Sequence, residues 1–146
     1  RQRRIVAAVH AGWRGTVNRI LAKTLHRMQS AYGTEGTDVI ACIGPGISLD
    51  SFEVGDEVYE AFRTENFPME YISVWKPETH KYHIDLWAAN RLQLSDFGVP
   101  SRQIENAGIC TYRQHEDFFS ARRLGIKSGR ILSGIMLNGQ EKGERK

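Results

Sequence analysis

The apolar positions of this chain switch repeatedly between a period of two and a period near 3.6. Residues 4–10 are rich in Val, Ile and Ala and alternate weakly, which predicts a strand ending at His10. Thr16 stands where a helix N-cap would, and Val17, Ile20, Leu21, Thr24, Leu25, Met28 and Tyr32 follow at helical spacing, with Gly33 as a stop. Residues 38–43 read as a second, buried strand closed by the turn Gly44-Pro45-Gly46. Asp50 or Ser51 would open a second helix carrying Val54, Val58, Ala61 and Phe62 on one face. Residues 71–75 form a strand pattern stopped by Pro77, and residues 81–85 a short one. The latter leads into a helix with Leu86, Ala89, Leu92, Gln93 and Phe97 on one side and Gly98 at its end. Residues 104–111, 118–122 and 130–137 have the composition of strands, and a polar tail occupies 138–146. Helices and strands interleave, but the loops are long and rich in aromatics. The pattern predicts an α+β fold of mixed β-sheets flanked by helices in layers, with residues 1–137 in a single domain.

Composition narrows this little. A chain of 146 residues with 40% apolar and 25% charged residues suits one globular domain. No apolar run is long enough to cross a bilayer, which argues against a membrane partner. The first residue is Arg, and no signal-peptide pattern precedes the fold, so the expectation is a cytoplasmic protein whose N-terminal part is missing from this sequence. The net charge of +3 comes largely from Arg1, Arg3, Arg4, Lys142, Arg145 and Lys146 near the two ends, which gives no footprint for nucleic acid. Cys42 and Cys110 have no metal-binding spacing and read as reduced thiols; Cys42, between Ala41 and Ile43, reads as core.

The richest chemistry lies at the end of the first apolar run. On a strand, Ile5, Ala7 and Val9 share one face and Val6, Ala8 and His10 the other. Gly12-Trp13-Arg14-Gly15 follows, and glycines let a backbone approach a ligand closely. An imidazole, a guanidinium and a helix N-terminus side by side would suit a metal ion, an anion, or both. The plainer alternative is a glycine turn with Trp13 packed as core and Arg14 solvated. His80 and His83 would share a metal only on a helix, and Pro77 and Ile84-Asp85 speak against one. Cys110 with His115 invites a thiol–imidazole pair, although Cys110 ends an apolar strand where a buried thiol is usual. Arg122 and Arg123 would point to opposite strand faces, so at most one would meet a phosphate; a surface pair is the alternative. Asp85 and Asn90 would orient a histidine or cap the helix at Leu86, capping being favoured for Asp85. Phe118 and Phe119 would stack on a base or fill the core.

Several of these stretches carry a resemblance. Val9-His10-Ala11-Gly12-Trp13-Arg14-Gly15-Thr16, Cys42-Ile43-Gly44-Pro45, Phe52-Glu53-Val54-Gly55, and Asp85-Leu86 with Asn90 and Gln93-Leu94 come in one order. Gly98-Val99, Cys110-Thr111, Phe118-Phe119-Ser120, Arg122-Arg123 and Gly129-Arg130 continue it. From about Ile5 to Leu137 the chain resembles the laccase-domain, or polyphenol oxidase, family, whose members are described as zinc-dependent purine nucleoside phosphorylases. It departs at Ala121, where many members carry an aromatic residue. The resemblance implies the C-terminal portion of the family's domain and a zinc held by two histidines and a cysteine. His10 corresponds to the last of these ligands, and the other two belong to a preceding segment that this chain lacks. The reaction would convert a purine nucleoside and phosphate to ribose 1-phosphate and base, or adenosine to inosine. For such a reaction His10 and Arg14 are the candidate catalytic residues, and Arg14, Arg122, Arg123, Phe119 and Asp85 the candidates for binding phosphate or nucleoside. The older family label implies instead a copper phenol oxidase, for which five scattered histidines are few. Two further alternatives are an inactive fragment or interaction domain, with a homodimer as one outcome, and a hydrolase of peptidoglycan precursor editing that uses the metal-site cysteine.

Overall fold

The computed structural model describes residues 4–138. The expected polar tail beyond Asn138 therefore lies outside the described residues. Among the described residues six α-helices and five β-strands follow in the order α1 Trp13–Val17, α2 Ile20–Tyr32, β1 Ala41–Ile43, β2 Glu53–Val54, α3 Asp56–Thr64, α4 Met69–Ile72, β3 Ser73–Lys76, β4 Lys81–Ile84, α5 Leu86–Asp96, β5 Ile104–Asn106 and α6 Ala121–Leu124. β1 and β5 pair in parallel, Ala41 opposite Ile104 and Ile43 opposite Asn106. β4 lies between β2 and β3, antiparallel to both. The fold is α+β with separate parallel and antiparallel sheets.

Helix α5 ties the two halves together. Its Leu86 and Ala89 enter the larger core with Phe52, Val58, Phe62 and Ile72, while its Leu94 joins Leu25, Val99 and Ile104 in a second core. A helix buried on more than one side shows only a weak amphipathic stripe, and α5 also buries Asn90 and Gln93. Asp85 caps it, its Oδ1 accepting from the Ala88 N–H at 2.9 Å, and Gly98 ends it with φ +93°.

The structure corrects several expectations. Residues 4–10 form no strand, because a strand exists only through a hydrogen-bonded neighbour and none lies alongside them among the described residues. Thr16 is not a cap. α1 begins at Trp13 behind Gly12, and the chain breaks at Arg19 before α2 starts. Arg19 sits at φ +58°, with its guanidinium donating to the Glu65 carbonyl at 2.8 Å and lying 3.7 Å over the Phe67 ring. Gly33 does stop α2, at φ +63°.

Residues 49–51 make only a single 3-10 turn. Val54 belongs to β2, and the helix bearing Val58 and Phe62 starts at Asp56. The 71–75 pattern divides between α4 and β3, and the 38–43 pattern shortens to β1. The 104–111 pattern is interrupted by Gly108 at φ +66°, with pairing resumed at a single bridge between Gly46 and Cys110. Residues 118–122 lead into α6 rather than a strand, because Ser120 caps that turn through its side chain. Residues 130–137 carry apolar side chains without a partner strand among the described residues; Leu132 is 98% exposed. Cys42 is exposed, not core, because along β1 it takes the face opposite Ala41 and Ile43, which pack on the smaller core.

Candidate functional site

The turn between His10 and α1 is shaped by two close approaches. A Cβ on Gly12 would lie 3.1 Å from His10 Nε2, so the imidazole folds across a residue that has no side chain. A Cβ on Gly15 would lie 3.2 Å from Ile20 Cγ2 and 3.3 Å from the His10 carbonyl oxygen. Trp13 packs partly buried against the larger core, and the Arg14 guanidinium lies 4.2 Å over its ring. His10 and Arg14 are both exposed on this one turn. α1 spans five residues, too short for the cumulative dipole of a longer helix, so the positive charge offered here is that of Arg14.

Behind the turn lies a buried polar network. The fully buried Thr16 donates from Oγ1 to the Ala11 carbonyl at 3.1 Å. Asn90 on α5 donates from Nδ2 to Thr16 Oγ1 at 3.1 Å and to the Leu86 carbonyl at 2.8 Å. Gln93 donates from Nε2 to the Thr16 carbonyl at 3.2 Å, and its Oε1 accepts from the Ala22 N–H at 3.2 Å. Burying polar groups this deep is costly unless they are hydrogen-bonded. The sequence singled out Asn90 but not its partners, since Thr16 and Gln93 look like cap and helix-face residues until α5 is docked on α1.

The remaining candidates are placed elsewhere. Asp85 is the α5 cap. Arg122 donates to the Glu53 carbonyl at 2.6 Å and lies 5.3 Å over the Phe52 ring. Arg123 lies 5.1 Å over the Tyr112 ring. The two arginines are on α6, not on opposite faces of a strand. Phe119 is 54% exposed, with Gly129 against its ring. It borders a small cavity of about 100 Å³ with His115, Phe118 and Leu124. Among the described residues no hydrogen bond or ion pair joins Asp85, Phe119, Arg122 or Arg123 to His10. A larger open cavity of about 470 Å³ is lined by Thr37, Asp38, Ile40, Arg102 and Gln103, none of them a candidate.

Cys110 is buried, as its strand-end position suggests, but its partners are hydroxyls and not His115. Ser48 donates to its Sγ from Oγ at 3.1 Å and from its backbone N–H at 3.4 Å, and Ser51 Oγ lies 3.5 Å away. Burial pushes the thiol up, yet the bonds from Ser48 and Ser51 and the backbone hold it at about 6, below the ordinary 9.0. The Ser48-x-x-Ser51 spacing is the only trace of this in the sequence. His80 sits at φ +51° with its ring 6.4 Å from Trp75, while His83 Nδ1 donates to the Leu49 carbonyl at 3.0 Å. The two histidines form no pair for a metal. Among the described residues no three His, Cys, Asp or Glu side chains gather to hold one. A catalytic zinc takes three protein ligands, and His10 alone does not fit that requirement.

Residues 1–138 match the model of the family described as multi-copper polyphenol oxidoreductase laccase. The chain belongs to this family. Among polyphenol oxidoreductase laccase relatives, a purine nucleoside phosphorylase of Bacteroides thetaiotaomicron is 66% identical over 133 residues, covering 91% of this chain and 49% of that protein. Adenosine deaminase RL5, from an unknown prokaryotic organism, is 50% identical over 131 residues, covering 90% of this chain and 50% of that protein. The crystal structure of YlmD from Geobacillus stearothermophilus superposes with a TM-score of 0.69 at 34% identity, over 79% of this chain and 43% of that one. The chain spans about half the length of the relatives it matches. Among the described residues no helix is long and apolar enough to cross a membrane.

Proposed function

We propose that this chain is part of an enzyme of purine nucleoside phosphorolysis. The observation that carries the reading is the 66% identity, over 133 residues and 91% of this chain, to a protein named purine nucleoside phosphorylase. In the reaction a phosphate oxygen bonds to C1′ of the ribose while the bond from C1′ to the purine nitrogen breaks. The base leaves with the electron pair of that bond and takes up a proton. Arg14 supplies positive charge for the phosphate and is held in place by stacking on Trp13. His10 holds its imidazole across Gly12, where a side chain would crowd the ring. Arg122, Arg123, Phe119 and Asp85 keep the structural roles described above; none has a contact that recruits it to this turn.

The family resemblance also implies zinc. The described residues offer one imidazole toward it, so the reading gives His10 a single ligand position and routes no step through a metal. A cytoplasmic location goes with the reading. A second reading, adenosine deamination, is favoured by the 50% identity to adenosine deaminase RL5. The copper phenol oxidase implied by the family's name is the third. The experiment is to supply adenosine or inosine with and without phosphate. Base release that requires phosphate and collapses in Arg14→Ala supports the proposal. Ammonia release independent of phosphate supports deamination instead, and copper-dependent phenol oxidation supports the family's name.

A further inference from the structure

The buried network behind the His10 turn adds directional bonds to the apolar contact that Trp13 and Val17 make with the core of Leu86 and Ala89. Asn90, 5% exposed, and Gln93, 1% exposed, stand on α5 among apolar neighbours, and Thr16 is fully buried. Their bonds end at the Ala11 carbonyl, one residue past His10, and at the Thr16 carbonyl at the end of the same turn. α1 cannot hold this turn by itself. It is one short turn of helix with no side-chain N-cap bond, followed by a left-handed Arg19. The strand expected to anchor His10 from the other side is not formed by residues 4–10.

We infer that Thr16 and Asn90 are positioning residues for His10. The Thr16 hydroxyl has one proton, and it goes to the Ala11 carbonyl, so the hydroxyl meets Asn90 Nδ2 as an acceptor. Both Asn90 Nδ2 protons are then used, on Thr16 and on the Leu86 carbonyl. Asn90 thus donates both ways, to the α5 backbone and to Thr16, and Thr16 passes its one proton to the carbonyl of Ala11, the residue bonded to His10. This relay leaves Asn90 Oδ1 buried without a hydrogen-bond partner among the described residues. A buried amide that keeps an unpaired oxygen is a poor device for stability alone. It is a good device for setting where a neighbouring backbone sits, because the two donors fix the amide's orientation.

The inference rests on the proposed role of His10, and its test separates the two. Thr16→Ser keeps the hydroxyl relay, and Thr16→Val keeps the shape without it. Both variants, with Asn90→Asp, are compared with the parent protein by the NMR signals of the His10 imidazole, by melting temperature, and by kcat and KM for phosphorolysis. Loss of an outer partner of a site residue commonly costs roughly 10–100-fold in activity. The expectation is therefore a kcat at least about tenfold lower in Thr16→Val with a smaller change in KM. His10 signals should shift in Thr16→Val and Asn90→Asp, and Thr16→Ser should restore the parent values. His10 signals and kcat unchanged in a folded Thr16→Val would overturn the inference, whatever happens to its melting temperature. If the parent protein shows no phosphorolysis, the functional reading fails, and the imidazole signals still decide the relay.

Discussion

Cys110 gives the sharpest physical prediction, because its thiol is buried and yet lowered to about 6 by the hydroxyls and backbone around it. Replacing Ser48 by Ala removes the hydroxyl at 3.1 Å from Sγ and leaves the Ser48 N–H at 3.4 Å and Ser51 at 3.5 Å. A hydrogen bond to a charged group contributes about 1.5–3 kcal/mol. At about 1.4 kcal/mol per unit of pKa, Cys110 should rise from about 6 by about one to two units. The assay is thiolate ultraviolet absorbance against pH in a Cys42→Ser background, since Cys42 is exposed and would titrate alongside. The same shift fixes the pH dependence of stability. Between about 6 and 9.0 the unfolded thiol holds a proton that the folded one has lost, so stability rises with pH across that window. This contribution is complete above the unfolded value and disappears as pH falls through about 6. Cys110→Ala should flatten that slope. A parent protein that titrates near 9.0, or a Ser48→Ala midpoint no higher than the parent's, refutes the reasoning.

Two further substitutions test the backbone. In Gly36→Ala the new Cβ would sit 2.3 Å from the Gly98 carbonyl carbon and 2.5 Å from its oxygen, backbone that cannot rotate away. Overpacking of this kind costs about 1–3 kcal/mol or more, read by calorimetry as a lower Tm of roughly 2–4 °C per kcal/mol; an unchanged Tm would contradict the close approach. At Arg19, Ala loses the stacking on Phe67 and the bond to Glu65 while keeping a side chain at φ +58°. Gly loses the same contacts but relieves about 1 kcal/mol of left-handed strain. Denaturant melts should therefore order the three as Arg, then Gly, then Ala, and an Ala variant more stable than the Gly variant would show that the left-handed turn is not retained.

What the sequence made legible divides along physical lines. The helix over Leu86–Asp96, its Asp85 cap and Gly98 end and the stop at Gly33 depend on local geometry, and they stand where the pattern puts them. The strand at Lys81–Ile84 also stands where the pattern puts it, because β2 and β3 flank it; strand patterns without such a neighbour do not form. The apolar runs at 4–10 and 130–137 have strand composition but no ladder among the described residues. The break at Arg19 was invisible because it is held by Glu65 and Phe67, 46 and 48 positions away. The His10–Arg14 turn was legible from its glycines and its residue types. Its support was legible only in part, since the bonds that reach it from Asn90 and Gln93 cross more than 70 residues.

We propose that the protein carrying this turn transfers the ribosyl group of a purine nucleoside to phosphate. Phosphorus NMR of the protein with inosine and inorganic phosphate follows the product itself. The account predicts a growing ribose 1-phosphate signal matched by free base, strongly reduced in His10→Ala and Arg14→Ala. Nucleoside left intact, or base released with no ribose 1-phosphate formed, would contradict it.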